Sequence, residues 1–237
     1  MPDRPLKLGT RASPLAMAQA HEARDRLCAA HPGLEVEIVP VTASGDKVLD
    51  RPLAEIGGKA LWTKELDAWL LAGEIDFAVH SLKDVETIRP LQIAIAAILP
   101  REDVRDVLVG AASLAELAPG TRIGTSAPRR AAQALHARPD CKVVGIRGNV
   151  QTRLAKLEAG EADVTLLALA GLNRLGMAHF GTPLDPEEWL PAPGQGAIAI
   201  EARAADERTR ALLAAIDHAP SHRAVIAERA LLAALGG

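Results

Sequence analysis

Four arginines gather around two turns of the segment 122–153, which reads strand, turn, helix, strand, turn, helix. Arg129 and Arg130 follow Gly124-Thr125-Ser126-Ala127-Pro128, where Ser126 suits a helix N-cap and Pro128 a first helical turn. Arg147 stands beside Gly148-Asn149 at the second turn, and Arg153 lies one helical turn further on. Helix N-termini carry unpaired N–H groups and the positive end of the macrodipole, so they already favour anions. Guanidiniums added there predict a ligand with several carboxylates or phosphates. The alternative is arginines that are solvated or paired with acids such as Glu158. A second constellation is His80-Ser81-Leu82-Lys83-Asp84, delivered by the apolar run Ile75 to Val79. Open α/β sheets bind ligands at the carboxyl ends of their strands, which places Lys83 and Asp84 for chemistry. Arg174 repeats the theme, a base at the turn after the buried strand 163–168.

These groups need elements to hold them. A short strand over 6–10 leads into Ser13, the expected N-cap, and Pro14, the first residue of an amphipathic helix that Pro32-Gly33 ends. Residues 34–39 alternate like a half-exposed strand, 61–71 predict a helix, 91–99 and 197–202 strands, and 206–216 and 221–235 helices. Between them, 42–64 is polar and glycine-rich, with Ser44-Gly45-Asp46-Lys47 and Gly57-Gly58-Lys59. A stretch of that length predicts a functional lid, or simply a mobile loop. The opening turn and the Ser126 turn share Gly-Thr, a capped turn, then Pro with Gln-Ala five and six residues later. That short repeat predicts two similar α/β domains, each with a ligand-binding turn after its first strand. Pro100-Arg101-Glu102-Asp103 and Pro191 to Gly196 are the expected crossings, so domain 1 is 1–99 with 197–217, domain 2 is 100–196, and 218–237 is a C-terminal helix. Two crossings permit hinge closure on a ligand.

Composition narrows the class. With 49% hydrophobic and 24% charged residues among 237, the chain can bury one large core or two ordinary ones. A net charge of −3, no basic tail and no Tyr argue against nucleic-acid binding. No apolar run approaches a membrane span and no signal-peptide core follows Met1, so the expected location is cytoplasmic. Cys28 and Cys141 alone support neither a disulfide framework nor a cysteine zinc cage, and no metal site is expected.

The ordered motifs Arg11-Ala12-Ser13-Pro14-Leu15-Ala16, Gly45-Asp46, Gly57-Gly58-Lys59, His80-Ser81-Leu82-Lys83-Asp84-Val85, Arg101-Glu102-Asp103, Gly124-Thr125-Ser126, Arg129-Arg130, Arg147-Gly148-Asn149-Val150, Ala170-Gly171-Leu172, Gly194-Gln195-Gly196-Ala197 and Glu228-Arg229-Ala230 resemble the porphobilinogen deaminase (hydroxymethylbilane synthase) family. The similarity runs along essentially the whole chain. It implies two doubly wound α/β domains resembling type II periplasmic binding proteins, with a cleft and hinge between them. It further implies an enzyme that deaminates porphobilinogen and joins four pyrroles head to tail on a dipyrromethane primer. Asp84 matches the family's catalytic carboxylate, with a structural salt bridge as the plain alternative. Arg11, Ser13, Lys59, Lys83, Thr125, Ser126, Arg129, Arg130, Arg147, Gly148, Arg153, Arg174 and Gln195 fall at positions expected to bind substrate or primer. Asp46 binds the primer or only caps a turn.

Three departures accompany the resemblance. The family fastens its primer through a cysteine directly after a Gly-Gly pair; here the sequence stops at Gly236-Gly237, without that cysteine and without a third domain. Glu86 stands where the family usually has Pro, and Ala127-Pro128 replaces Ser-Leu. Competing readings are therefore a truncated form of an ordinary enzyme, a natural short form that holds its primer non-covalently, a non-catalytic binder of pyrrole carboxylates, and a two-domain anion receptor. The expected partner is the small molecule porphobilinogen, with no nucleic acid and no membrane, and the expected state is a monomer.

Overall fold

The computed structural model describes residues 4–41 and 60–237, and the chain divides into two compact units, 1–102 with 196–237, and 103–195. In unit 1, β1 (Leu6–Arg11), β2 (Val36–Val41), β3 (Phe77–Ser81), β4 (Ile93–Ile98) and β10 (Ile198–Arg203) form one sheet in the order β2-β1-β3-β10-β4. β1 lies parallel to both β2 and β3, whereas β10 is antiparallel to β3 and β4. Both faces of this sheet are covered, as a largely parallel sheet requires. Strand side chains alternate, so Phe77, Val79, Ile198 and Ile200 meet Ala20, Leu27 and Leu213 on one face. Ala78 turns the other way, toward Leu66 and Leu70, and Ala199 toward Val225. The covering helices are α1 (Pro14–Ala30), α2 (Ala60–Ala72), α6 (Glu207–Ala214) and α7 (Ala219–Ala234). The expected lid falls on 42–59, outside the described residues; its last part, 60–64, is instead the first turn of α2.

Unit 2 repeats the plan with β5 (Asp106–Val109), β6 (Arg122–Gly124), β7 (Lys142–Val144), β8 (Val164–Ala168) and β9 (Thr182–Pro183), ordered β7-β6-β8-β5-β9. β6 is parallel to β7 and β8; β5 is antiparallel to β8 and β9. Helices α3 (Pro128–Ala137), α4 (Val150–Glu158) and α5 (Leu169–Arg174) complete it. Leu108, Ile123 and Leu166 pack with Ala134 and Trp189 on one face, and Val107, Val109 and Leu167 with Leu154 and Leu172 on the other. Among the described residues no helix is long and apolar enough to cross a membrane.

Candidate functional site

In unit 1 the turn after β1 and the end of β3 enclose a recess of about 60 Å³ lined by Arg11, Ser13, Gln19, His80, Ser81 and Asp84, with Leu15, Ala16 and Val79. Ser13 is the N-cap of α1, its Oγ accepting from Ala16 N at 3.4 Å, with Pro14 in the first turn. Gln19, one helical turn and a half into α1, is buried and donates from Nε2 to Ser81 Oγ at 2.9 Å. Lys83 and Asp84 sit in the short 3-10 turn Leu82–Asp84. Leu82 and Val85 are buried on either side, and Leu82 N donates to Ala197 O at 3.0 Å. Two apolar anchors thus leave the intervening cation and carboxylate half-exposed at the carboxyl end of β3.

Beneath the recess lies an ionic network that the sequence did not announce. His80 and Glu201 share a sheet face as diagonal neighbours on β3 and β10, since His80 pairs with Ala199 and Glu201 with Ala78. Both are buried, and His80 Nε2 is 3.4 Å from Glu201 Oε2, too poorly aligned for a hydrogen bond among the described residues. Burial, then the nearby Arg89, pushes the His80 pKa down to about 4. Burial likewise raises the Glu201 pKa against the pull of Arg89. Arg89 binds Glu201 with Nε to Oε1 and Nη2 to Oε2, each at 2.9 Å. The only signal for this in the sequence is one acid in the apolar run Ala197 to Ala202, a run that otherwise reads as core.

Unit 2 places its arginines in two groups. Arg129 and Arg130 open α3, but their side chains turn toward Asp106 of β5: Arg130 Nη2 to Oδ1 at 2.6 Å and Arg129 Nη2 to Oδ2 at 2.7 Å. Arg130 also donates to Leu166 O at 2.8 Å and is buried. Trp189 Nε1 and Gln195 Nε2 donate to the same carboxylate, each at 2.9 Å. Against the cost of burial, Arg130, Arg129 and Trp189 hold Asp106 well below the usual carboxylate range. Arg130 and Gln195, both expected to meet a ligand, each bond here to an acid of their own unit. Thr125 is buried as well, its Oγ1 accepting from Ala127 N at 3.2 Å. Ser126 does not cap α3; the N-cap is Ala127, and Ser126 Oγ donates to Ile146 O at 2.9 Å, tying the two turns together. One carboxylate facing two guanidiniums leaves a formal positive charge at the start of α3, which adds to the helix dipole.

The second group surrounds the start of α4. Asn149 is the N-cap, accepting from Thr152 N at 2.9 Å, and Arg153 Nε donates to Gly148 O at 2.9 Å. Gly148 has φ +121°, and a Cβ there would lie 2.5 Å from Thr152 Cγ2. Only glycine fits, so the peptide between half-buried Arg147 and the helix is fixed by backbone conformation. Arg174, also half-buried, is the last residue of α5, directly after β8. Asp46 and Lys59 lie outside the described residues. Among the described residues no group of three or more His, Cys, Asp or Glu is arranged to hold a metal ion.

This geometry, carboxylate-receptive turns at helix starts and an Asp beside a Lys at a strand end, agrees with what the chain is similar to. The family model described as porphobilinogen deaminase, dipyromethane cofactor binding domain, matches residues 6–211. A porphobilinogen deaminase of Sphingopyxis alaskensis is 64% identical, covering 100% of this chain and 77% of the relative. One from Paracoccus denitrificans is 55% identical, with the same two coverages of 100% and 77%. In fold alone, a periplasmic substrate-binding protein of an ABC transporter from Coxiella burnetii is similar, with a TM-score of 0.52, 16% identity and 94% of each chain covered. Taken with the matching motifs and the two doubly wound sheets, these likenesses establish that the chain belongs to the porphobilinogen deaminase family.

Proposed function

We propose that this chain deaminates porphobilinogen and condenses four pyrroles head to tail to hydroxymethylbilane, in the synthesis of tetrapyrroles. The observation that carries the reading is the half-exposed Asp84, held between two buried anchors in a recess that also presents Arg11 and Ser13. Each porphobilinogen bears an acetate and a propionate, so substrate and growing product are polycarboxylates. Arg11 and Ser13 of unit 1, with Lys83, and Arg147, Arg153 and Arg174 of unit 2, are assigned to those acids. Arg129 and Arg130 act with Asp106, leaving net positive charge at the start of α3.

Deamination breaks the bond between the aminomethyl carbon and nitrogen; the nitrogen leaves as ammonia, and the pyrrole is left as a cationic azafulvene. A carboxylate within hydrogen-bond reach of the pyrrole N–H stabilises that cation and can hold the proton as it moves. Asp84 is assigned both tasks. A dipyrromethane fits the donor set, because its acid arms call for cations, and Arg147 in a glycine-shaped turn, Arg153 in the first turns of α4 and Arg174 at the end of α5 supply them. When bound, it supplies the nucleophilic pyrrole carbon to which the first substrate is joined. Arg147, Arg153 and Arg174 are the residues assigned to hold it, while Cys28 and Cys141 lie elsewhere, on α1 and in the core of unit 2. The same reading takes the chain as a cytoplasmic monomer whose partner is a small molecule, with no need of nucleic acid or membrane.

Asp84→Asn keeps the shape and removes the charge. It is expected to abolish condensation, read as uroporphyrin absorbance after oxidation, while porphobilinogen binding stays within a few-fold. A near-normal rate in this variant removes Asp84 from the role, and tight binding without turnover in the wild type favours a non-catalytic binder instead.

A further inference from the structure

We propose that Arg89 is a positioning residue for Asp84: it fastens the segment after the Asp84 turn to the buried Glu201 and keeps His80, on the wall of the same recess, uncharged. The inference deepens the assignment of Asp84 given above and rests on it. Arg89 uses all three of its nitrogens. Besides the two bonds to Glu201, Nη2 donates to Asp67 Oδ1 of α2 at 2.5 Å and Nη1 to Glu86 Oε2 at 3.1 Å. Its side chain is 8% exposed. The planar fork makes four bonds to three carboxylates, two of them paired on Glu201; an ammonium, with three donors on one nitrogen, cannot reproduce that arrangement. Arg229 of α7 adds a second tether, donating to Glu86 O at 2.6 Å and Thr87 O at 2.9 Å. The Asp84 turn is therefore fixed from both sides, by Leu82 against Ala197 before it and by Arg89 against the sheet after it.

The electrostatic half follows from what faces His80. Those groups are Glu201 on β10, Arg89, Asp67 on α2, Arg11 on β1 and Asp84 itself. With Arg89 present, Glu201 has a cation and His80 need not supply one. Without it, a buried carboxylate stands 3.4 Å from an imidazole with only the weaker field of Arg229 to offset its charge among the described residues, and a proton on His80 becomes more favourable. An imidazolium there would draw the Asp84 carboxylate toward the wall and repel the azafulvene cation. That costs transition-state stabilisation more than substrate binding, so kcat falls rather than KM rising.

Two variants separate the halves. Arg89→Met removes fork and charge; Arg89→Lys keeps the charge but loses the paired contact to Glu201 and the reach of the fork. The readouts are the ring nitrogen shifts of His80 in nitrogen-15 labelled protein across a pH titration, and steady-state condensation of porphobilinogen. In Arg89→Met the His80 midpoint is expected to rise by about one unit or more, so the electrostatic part of the loss shows as a steeper fall of kcat toward pH 5, while loss of the fork lowers kcat about tenfold at neutral pH with KM changed less than about twofold. In Arg89→Lys the midpoint is expected within roughly half a unit of wild type, yet kcat still falls. An unmoved His80 midpoint in folded Arg89→Met, or an unchanged kcat in Arg89→Lys, overturns the proposal; if the Met variant does not fold, the Lys variant decides. Absent turnover in the wild type would count against the proposed function, while the His80 titration would still test the coupling to Arg89.

Discussion

Asp106 accepts from four side chains, Arg129, Arg130, Trp189 and Gln195, which reach it from α3 and from the segment that ends unit 2. A buried pair adds little net stability compared with an apolar substitute, but removing one partner leaves the other charge uncompensated. Asp106→Ala is therefore expected to lower the unfolding free energy by about 3–5 kcal/mol, measured by urea denaturation. A loss under about 1 kcal/mol would mean that water replaces the carboxylate and that the arginines are not committed to it. The sequence showed the arginine pair plainly and invited a ligand reading. It could not show that an acid 23 and 24 positions earlier stands beneath them, because that adjacency comes from the pairing of β5 with β8.

At the scale of elements, the two strand-to-helix turns that share Gly-Thr and Pro in sequence do occupy equivalent places, after β1 and after β6. They are not built alike. Ser13 caps its helix, whereas Ser126 leaves that position to Ala127 and bonds to the neighbouring turn. The start of α4 depends on Asn149 as a cap in the same way that α1 depends on Ser13, and on Gly148 for the backbone that leads into it. Gly148→Ala is expected to cost about 1–2 kcal/mol from the left-handed backbone alone, with more from the contact with Thr152. Thermal unfolding reads that cost, and a several-fold rise in KM for porphobilinogen would follow from misplacing Arg147 and Arg153. Unchanged stability and KM would detach this turn from the site. The helices were legible because caps, prolines and periodicity lie within a few residues of each other. β5 and β9 were not: the first contains Asp106 in an otherwise apolar run, and the second has only two residues.

For the molecule as a whole, stability should depend on pH through the buried groups. His80 binds its proton near pH 4 in the folded chain and near its ordinary 6.5 when unfolded. As pH falls from 6.5, the unfolded chain takes up that proton first, so stability is full above 6.5 and declines toward 4. This amounts to roughly 2 kcal/mol at pH 5. Asp106, held below the usual range, adds a further loss at more acid pH, while Glu201, raised by burial, works the other way. Urea midpoints at pH 7.5 and 5 for wild type and His80→Gln isolate the first effect. A wild-type slope that the substitution leaves intact would show that His80 is not its source.

The amino-acid order alone determined the family, the α/β class and most element positions, and it motivates the proposal of a polyanionic ligand met by arginines. Those properties are written in near neighbours: a cap and its helix, a strand and its turn, a motif of five residues. What only the tertiary structure decided is which charge answers which. Arg89 and Glu201 stand 112 residues apart in the chain, and Arg130 and Asp106 stand 24 apart. Strand register and helix packing bring them together, and burial then makes each pairing obligatory, since a lone charge in either core would be too costly to keep.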